Sequence, residues 1–165
     1  MNNDIKYGID GFKAHELEVD KWIDAHGKPT KPIKLSDFDG KFKVIYCFQS
    51  WCPGCHSRGL PALQEMTKAL NNNDKVTFMA IQTVFEGFDE NTFDKIIKIQ
   101  EKYGLEIPFG HDTGDDESQN RSRVMQQYRT GGTPWFIFID QKNNVVFNDF
   151  HLNVAKAITF LKTIE

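Results

Sequence analysis

Residues 42 to 48, "FKVIYCF", form a nearly continuous apolar run rich in β-formers, and four residues after it stands Cys52-Pro53-Gly54-Cys55. Apolar residues at successive rather than alternate positions predict a strand covered on both faces, so this stretch is expected to be a central parallel strand. From Cys55 onward the period changes. Leu60, Leu63, Met66 and Leu70 fall at three- and four-residue steps until "NNND" breaks the pattern, which predicts a helix directly after the strand. Two cysteines one helical turn apart thus sit where a buried strand passes into a helix.

The rest of the chain continues the alternation. "KVTFMAIQ" reads as a buried strand, "ENTFDKIIKIQEKYG" as a helix closed by Gly104, and "SQNRSRVMQQYRTGG" as a helix closed by Gly131. "WFIFID" and "VVFNDF" are strands joined by the polar "QKNN", and "NVAKAITFLKTIE" is a final helix with Asn153 as its cap. Near the start, "LEVDKWID", with Leu17, Val19, Trp22 and Ile23, meets the turn-rich "AHGKPTKP" and then "IKLSDF", which predicts an edge hairpin. The expected fold class is α/β: a central mixed β-sheet with helices on both faces and an N-terminal hairpin. At 165 residues the chain fits a single domain, 1–165, with 1–16 as an irregular N-terminal extension.

Composition narrows the function classes. The hydrophobic share of 39%, with fourteen Phe and three Trp, suffices for a packed core but is too dispersed for membrane insertion, which takes ~20 consecutive apolar residues. With 20 basic against 23 acidic residues there is no large basic field for nucleic acid or an anionic membrane. A monomer is expected. The polar, acidic start "MNNDIKYGIDGFKAHELEVD" has neither the basic nor the apolar region of a signal peptide. The default localisation is therefore cytoplasmic, or periplasmic or otherwise exported if the chain has been trimmed at its start.

Three cysteines are too few for a disulfide-stapled scaffold. Cys52 and Cys55 have the spacing of a redox pair or of two metal-ligating thiolates, and His56 completes C-x-x-C-H, the haem-attachment pattern. A zinc site would need a second close pair of ligands, for which only His111 and Asp112 offer themselves. Haem attachment would require export, and His56 is read more simply as an exposed residue in the first turn of the helix. At the mouth of a helix, free backbone N–H groups favour an anion and lower a thiol's pKa; a second Cys one turn on can then resolve a mixed disulfide. Cys47, inside the apolar strand, is expected to act as a small hydrophobe. "HDTGDDES" lacks the alternating ligands of a calcium loop, and Asp115 to Ser118 are expected to cap the next helix.

Two motifs together decide between these chemistries. "FQSWCPGC" after an apolar strand and "GGTPWFIFID" about 80 residues later, with the strand-helix order between them, resemble the thioredoxin superfamily. The resemblance implies that the Thr133-Pro134 bond is cis, that Pro134 packs against the dithiol, and that the backbone beside it pairs with substrate. Trp51, Pro53, Gly54, Thr133 and Pro134 would form the substrate-binding surface. The segment from Gln82 to Pro108 is an extra strand-helix insertion like that of the TlpA-like and peroxiredoxin-like branches. Peroxiredoxins need Pro-x-x-x-Thr-x-x-Cys, but here those Pro and Thr places hold Ile45 and Gln49. Phe48 to Cys55 instead follows the TlpA-like aromatic-Ala-Ser-Trp-Cys-Pro-x-Cys run.

The likeness has departures. The family's kinking Pro is replaced by Leu60, with Pro61 one place later, and the buried Asp of thioredoxin proper is Tyr46. Glu86 is the nearest candidate for the proton acceptor. The resemblance thus implies a TlpA-like thiol-disulfide oxidoreductase with a redoxin/AhpC-TSA-like domain, in which Cys52 attacks and Cys55 resolves. It needs no cofactor beyond the redox-active Cys52–Cys55 disulfide, and its partners would be a protein disulfide substrate and an external thiol electron donor. The alternatives are a peroxiredoxin-like thiol peroxidase and a non-catalytic binding module on the same fold.

Overall fold

The computed structural model describes residues 6–114 and 122–165. Its strands are β1 (Lys21–Ile23), β2 (Pro29–Thr30), β3 (Phe42–Phe48), β4 (Val76–Thr83), β5 (Phe109–Asp112), β6 (Trp135–Ile139) and β7 (Val145–Asp149). The helices are α1 (Leu60–Ala69), α2 (Phe93–Tyr103), α3 (Arg123–Tyr128) and α4 (Val154–Leu161). All seven strands join one mixed sheet in the order β2-β1-β5-β4-β3-β6-β7. β3 runs parallel to β4 and antiparallel to β6, and β4 is parallel to β5.

Every residue of β3 is buried, because helices and loops cover both faces of the sheet. Side chains alternate between the faces with the period of two that a strand imposes. Val44, Tyr46 and Phe48 face the core closed by Leu63 and Met66 of α1, Ile96 and Ile99 of α2, and Leu161 of α4. Ile45 and Cys47 face the core closed by Val124 and Tyr128 of α3 and by Leu17, Val19 and Trp22. Cys47 is fully buried, and burial pushes its thiol far up, so it behaves as the expected hydrophobe. The run does contain one cation: Lys43, buried at 0% exposure, sends its Nζ to Lys41 O (3.1 Å) and Asn143 Oδ1 (2.8 Å).

The N-terminal hairpin differs from the sequence reading. Its second strand is Pro29–Thr30, inside the stretch read as a turn, while "IKLSDF" forms a 3-10 turn at Leu35–Phe38. The cause is a remote carboxylate: Glu16 accepts from Leu35 N (2.5 Å) and Ser36 N (3.3 Å), and Asp37 accepts from Lys34 N (2.9 Å), so these donors need no ladder. The hairpin does lie at the edge of the sheet as expected, with β2 outermost and β1 between β2 and β5. β5, which the sequence reading did not identify, fills the place between β1 and β4.

Helix ends follow local chemistry where a side chain is at hand. Gly104 closes α2 in the left-handed conformation (φ 60°), and Asn153 caps α4 by accepting from Lys156 N at 3.0 Å. α3 stops at Tyr128, ahead of Gly131, because Asn148 Nδ2 donates to the Tyr128 carbonyl (2.7 Å) and Arg129 turns left-handed (φ 53°). The expected Asp115 to Ser118 cap lies outside the described residues. Ser122 caps α3 instead, and Asp112 accepts from Ser122 Oγ (2.5 Å), Arg123 N (3.0 Å) and Val124 N (2.9 Å). Residues 8 to 14 are tied down by backbone bonds from Gly8 N to Arg129 O (3.0 Å) and Gly11 N to Val145 O (2.8 Å). Among the described residues no helix is long and apolar enough to cross a membrane.

Candidate active site

Cys52 and Cys55 are joined as a disulfide with their Cα atoms 5.3 Å apart. Cys55 is fully buried, Cys52 is half-buried and Trp51 beside it is 62% exposed, so only one sulfur of the pair faces solvent. Cys52 Sγ accepts from Cys55 N at 3.2 Å and from Thr133 Oγ1 at 3.5 Å, with the Thr133 carbonyl 3.7 Å away. Donors aimed at the outer sulfur stabilise its thiolate, the form that attacks. The two sulfurs therefore differ: one is accessible and hydrogen-bonded, and the other is sealed behind it.

The turn carrying the pair is wider than an α-helix. Cys55–Gly59 is a π-helical turn, closed by a bond from Leu60 N to Cys55 O, and it leads straight into α1. The shifted proline explains it. Pro61 has no N–H, and its ring would press on the residue 57 carbonyl in α register, so one widened turn relieves the clash. Tyr46 lies beneath this turn and donates its hydroxyl to Cys55 O (3.2 Å). Burial raises the Tyr46 phenol well above its usual range, so it stays neutral and serves as a support. The Thr133-Pro134 peptide bond is cis. Pro134 closes the site from above, its Cδ 3.3 Å from where a Cβ on Gly54 would stand and its Cβ 2.8 Å from one on Gly59.

The approach to Cys52 is held by side chains the sequence reading did not select. Gln82, fully buried at the end of β4, accepts through Oε1 from both Ser50 N (2.8 Å) and Ser50 Oγ (2.6 Å) and donates to Thr92 O (3.0 Å). Asn91 accepts from Trp51 N at 2.8 Å and donates to Glu86 O at 3.0 Å. Gln49 is also buried, its Oε1 taking Phe85 N at 3.1 Å. His56 is half-buried rather than exposed: Nε2 lies 2.7 Å from Ser50 O and Nδ1 2.6 Å from the Tyr103 hydroxyl. A polar residue ending an apolar strand was the only signal for Gln82; Asn91 had none.

The expected site residues divide by position. Cys52, Cys55, Gly54, Thr133 and Pro134 converge; Pro53 and Trp51 are exposed on the rim. Glu86 is exposed too, on a loop that lines a hollow of about 270 Å³ with Trp51, Phe88, Asp89, Glu90 and Asn91, and it bonds to Gln49 and Asn91 through its backbone. Trp135 is structural: it is buried, and its Nε1 donates to Asn148 Oδ1 at 2.6 Å. His111 and Asp112 are engaged with Gln82 and with the start of α3, and among the described residues no group of three or more His, Cys, Asp or Glu side chains is placed to hold a metal.

The Redoxin family model matches residues 16–155, which takes in the dithiol and the cis-proline motif alike. The chain belongs to the redoxin family. Among solved structures, this redoxin is similar to a thioredoxin-like superfamily protein at 28% identity and TM-score 0.78, covering 92% of this chain and 95% of that one. It is similar also to a thiol-disulfide isomerase from Corynebacterium glutamicum, at 25% identity and TM-score 0.75, with 92% and 96% covered. A thiol:disulfide interchange protein from Chlorobium tepidum shares the fold at 18% identity and TM-score 0.65, with 94% and 97% covered. No curated protein matches the sequence. Family, fold and a disulfide with one solvent-facing sulfur make this redoxin a thioredoxin-like oxidoreductase.

Proposed function

We propose that the protein reduces disulfides of other proteins through its CPGC dithiol. The observation that carries this reading is the inequality of the two sulfurs: Cys52 is accessible and receives hydrogen bonds from Cys55 N and Thr133 Oγ1, while Cys55 is sealed behind it. The reduced enzyme presents Cys52 as thiolate. It attacks one sulfur of the partner's disulfide, the partner's S–S bond breaks, and the departing sulfur leaves as a thiolate that takes a proton. Cys55 then loses its proton and attacks Cys52 Sγ; the bond from Cys52 to the partner breaks, and the second partner sulfur leaves as a thiolate that takes a proton in its turn. The partner gains two electrons and two protons, and the enzyme is left as the Cys52–Cys55 disulfide, which an external thiol donor must reduce.

The surroundings suit a polypeptide substrate. A groove of about 760 Å³ is lined by Gly59, Phe136, Phe147 and Phe150 and shares Pro134 with the dithiol site. No bound cofactor is needed, since the electron pair stays on sulfur throughout. In a reducing cytoplasm, where thiol donors are abundant, the cycle runs in the reductive direction.

Trapping tests the reading. A Cys55→Ser variant should accumulate a covalent adduct with a disulfide protein such as insulin, a Cys52→Ser variant should form none, and wild type with a thiol donor should reduce insulin catalytically. Peroxide consumption without insulin reduction would favour the thiol peroxidase instead. Equal, non-covalent partner binding by wild type and Cys52→Ser, with no reduction by either, would make the protein a binding module.

A further inference from the structure

His56, the residue that completes the C-x-x-C-H motif, has no part in the exchange cycle, yet both of its ring nitrogens are engaged. Ser50 O is an acceptor only, so Nε2 must carry the hydrogen in the 2.7 Å bond between them. A neutral imidazole has one N–H, so Nδ1 is the acceptor and the Tyr103 hydroxyl must donate to it across 2.6 Å. The two rings lie against each other, with centroids 5.7 Å apart. Tyr103 is itself fixed, being the last residue of α2 and accepting through its carbonyl from Gln64 Nε2 of α1 at 2.7 Å. Two helices therefore select one tautomer of His56, and that tautomer grips the backbone two residues before the reactive sulfur.

We propose that His56 is a positioning residue that sets the reactivity and redox potential of the dithiol by holding the Ser50 carbonyl. This rests on the reading of Cys52 and Cys55 as the exchanging pair. Residues 50 to 52 carry the outer sulfur, and three side chains fix that segment: Gln82 on Ser50 N, Asn91 on Trp51 N and His56 on Ser50 O. Of the three, only His56 lies on the active-site turn itself, where its own N–H donates to Cys52 O at 3.3 Å. It links the segment before the sulfur to the turn after it. If the grip is released, the alignment of Cys52 Sγ with Cys55 N and Thr133 Oγ1, at 3.2 and 3.5 Å, loosens and the thiolate loses stabilisation. A less stable thiolate means a less stable reduced form, hence a more reducing dithiol and a slower Cys52. Both ring nitrogens are engaged, with Ser50 O and with the Tyr103 hydroxyl, so the geometry gives His56 a positioning part and not that of a proton acceptor for Cys55.

The test compares wild type, His56→Leu, His56→Gln and Tyr103→Phe. It measures the alkylation rate of Cys52 at neutral pH, the equilibrium with glutathione, and the imidazole ¹⁵N shifts. In wild type the shifts should report Nε2–H with an unprotonated Nδ1. His56→Leu should slow alkylation about tenfold and move the glutathione equilibrium about tenfold toward the protein disulfide, equivalent to about 30 mV. His56→Gln, whose amide N–H reaches a similar position, should restore most of both, and Tyr103→Phe should keep the Nε2–H tautomer, which Ser50 O holds, while leaving Nδ1 without its donor. Unchanged rate and potential in His56→Leu would overturn the inference; so would a wild-type Nδ1–H tautomer, or a His56→Gln as impaired as His56→Leu. If His56→Leu does not fold, the tautomer and the Gln variant decide. A wild type that lacks an alkylatable Cys52 or any measurable potential would instead refute the dithiol reading itself.

Discussion

The hydroxyl oxygen of Tyr46 lies only 2.2 Å from where a Cβ on Gly59 would stand. Gly59 has φ −67° and ψ −56°, an ordinary helical conformation, so space rather than backbone freedom demands glycine there. In an unobstructed helix Gly→Ala is worth about 1 kcal/mol of added stability. Here the sign should reverse. Gly59→Ala is expected to destabilise by about 2 kcal/mol through overpacking. Tyr46→Phe alone should cost about 1 kcal/mol for the lost bond to Cys55 O. The double variant should lose less than the sum, by about 1 kcal/mol of coupling, since removing the hydroxyl frees part of the space. Urea unfolding of the four proteins measures this, and strict additivity would mean the turn moves aside instead.

Glu86 and Cys55 occupy opposite environments, one in solvent on the rim of the Trp51 hollow and the other at 0% exposure behind Cys52. General-base transfer needs hydrogen-bond reach, directly or through one water. Replacing Glu86 with Gln should leave the pH profile of Cys55 reactivity unchanged, measured as the rate of resolving a preformed Cys52 mixed disulfide. A displaced profile would make Glu86 the proton acceptor its position in the sequence suggests.

Lys43 gives a pH dependence with a defined sign. Burial holds its ammonium below the usual lysine value of 10.5, partly opposed by the carboxylates of Asp39, Asp140 and Glu16. Between the lowered value and 10.5 the unfolded chain binds more protons than the folded one, so this group's contribution to stability rises with pH across that window. Below the window the cost of burying the cation is felt in full. Lys43→Met should therefore compare more favourably with wild type near neutral pH than near 10.5, as read from urea unfolding at both. A stability difference that does not change with pH would show that Lys43 titrates in the fold as it does in water.

Much of this protein is written in short stretches of its chain. The seven apolar residues of β3, the three- and four-residue steps of α1, Gly104 ending α2 and Asn153 starting α4 are all local, because strand and helix periods and caps act within a few residues. The CPGC motif and Thr133-Pro134 are short stretches too, and the fold brings the two together. Other features depended on groups far apart in the chain. Glu16 turned "IKLSDF" into a 3-10 turn across 19 residues, Asn148 ended α3 across 20, and β5 found its place only between β1 and β4. Gln82, Asn91 and His56 became parts of the site because chain folding carried Ser50, Trp51 and Tyr103 to them. Periodicity and motif are properties of neighbours along the backbone. A buried hydrogen bond is made with whichever partner the packed structure delivers, and a linear sequence does not name that partner.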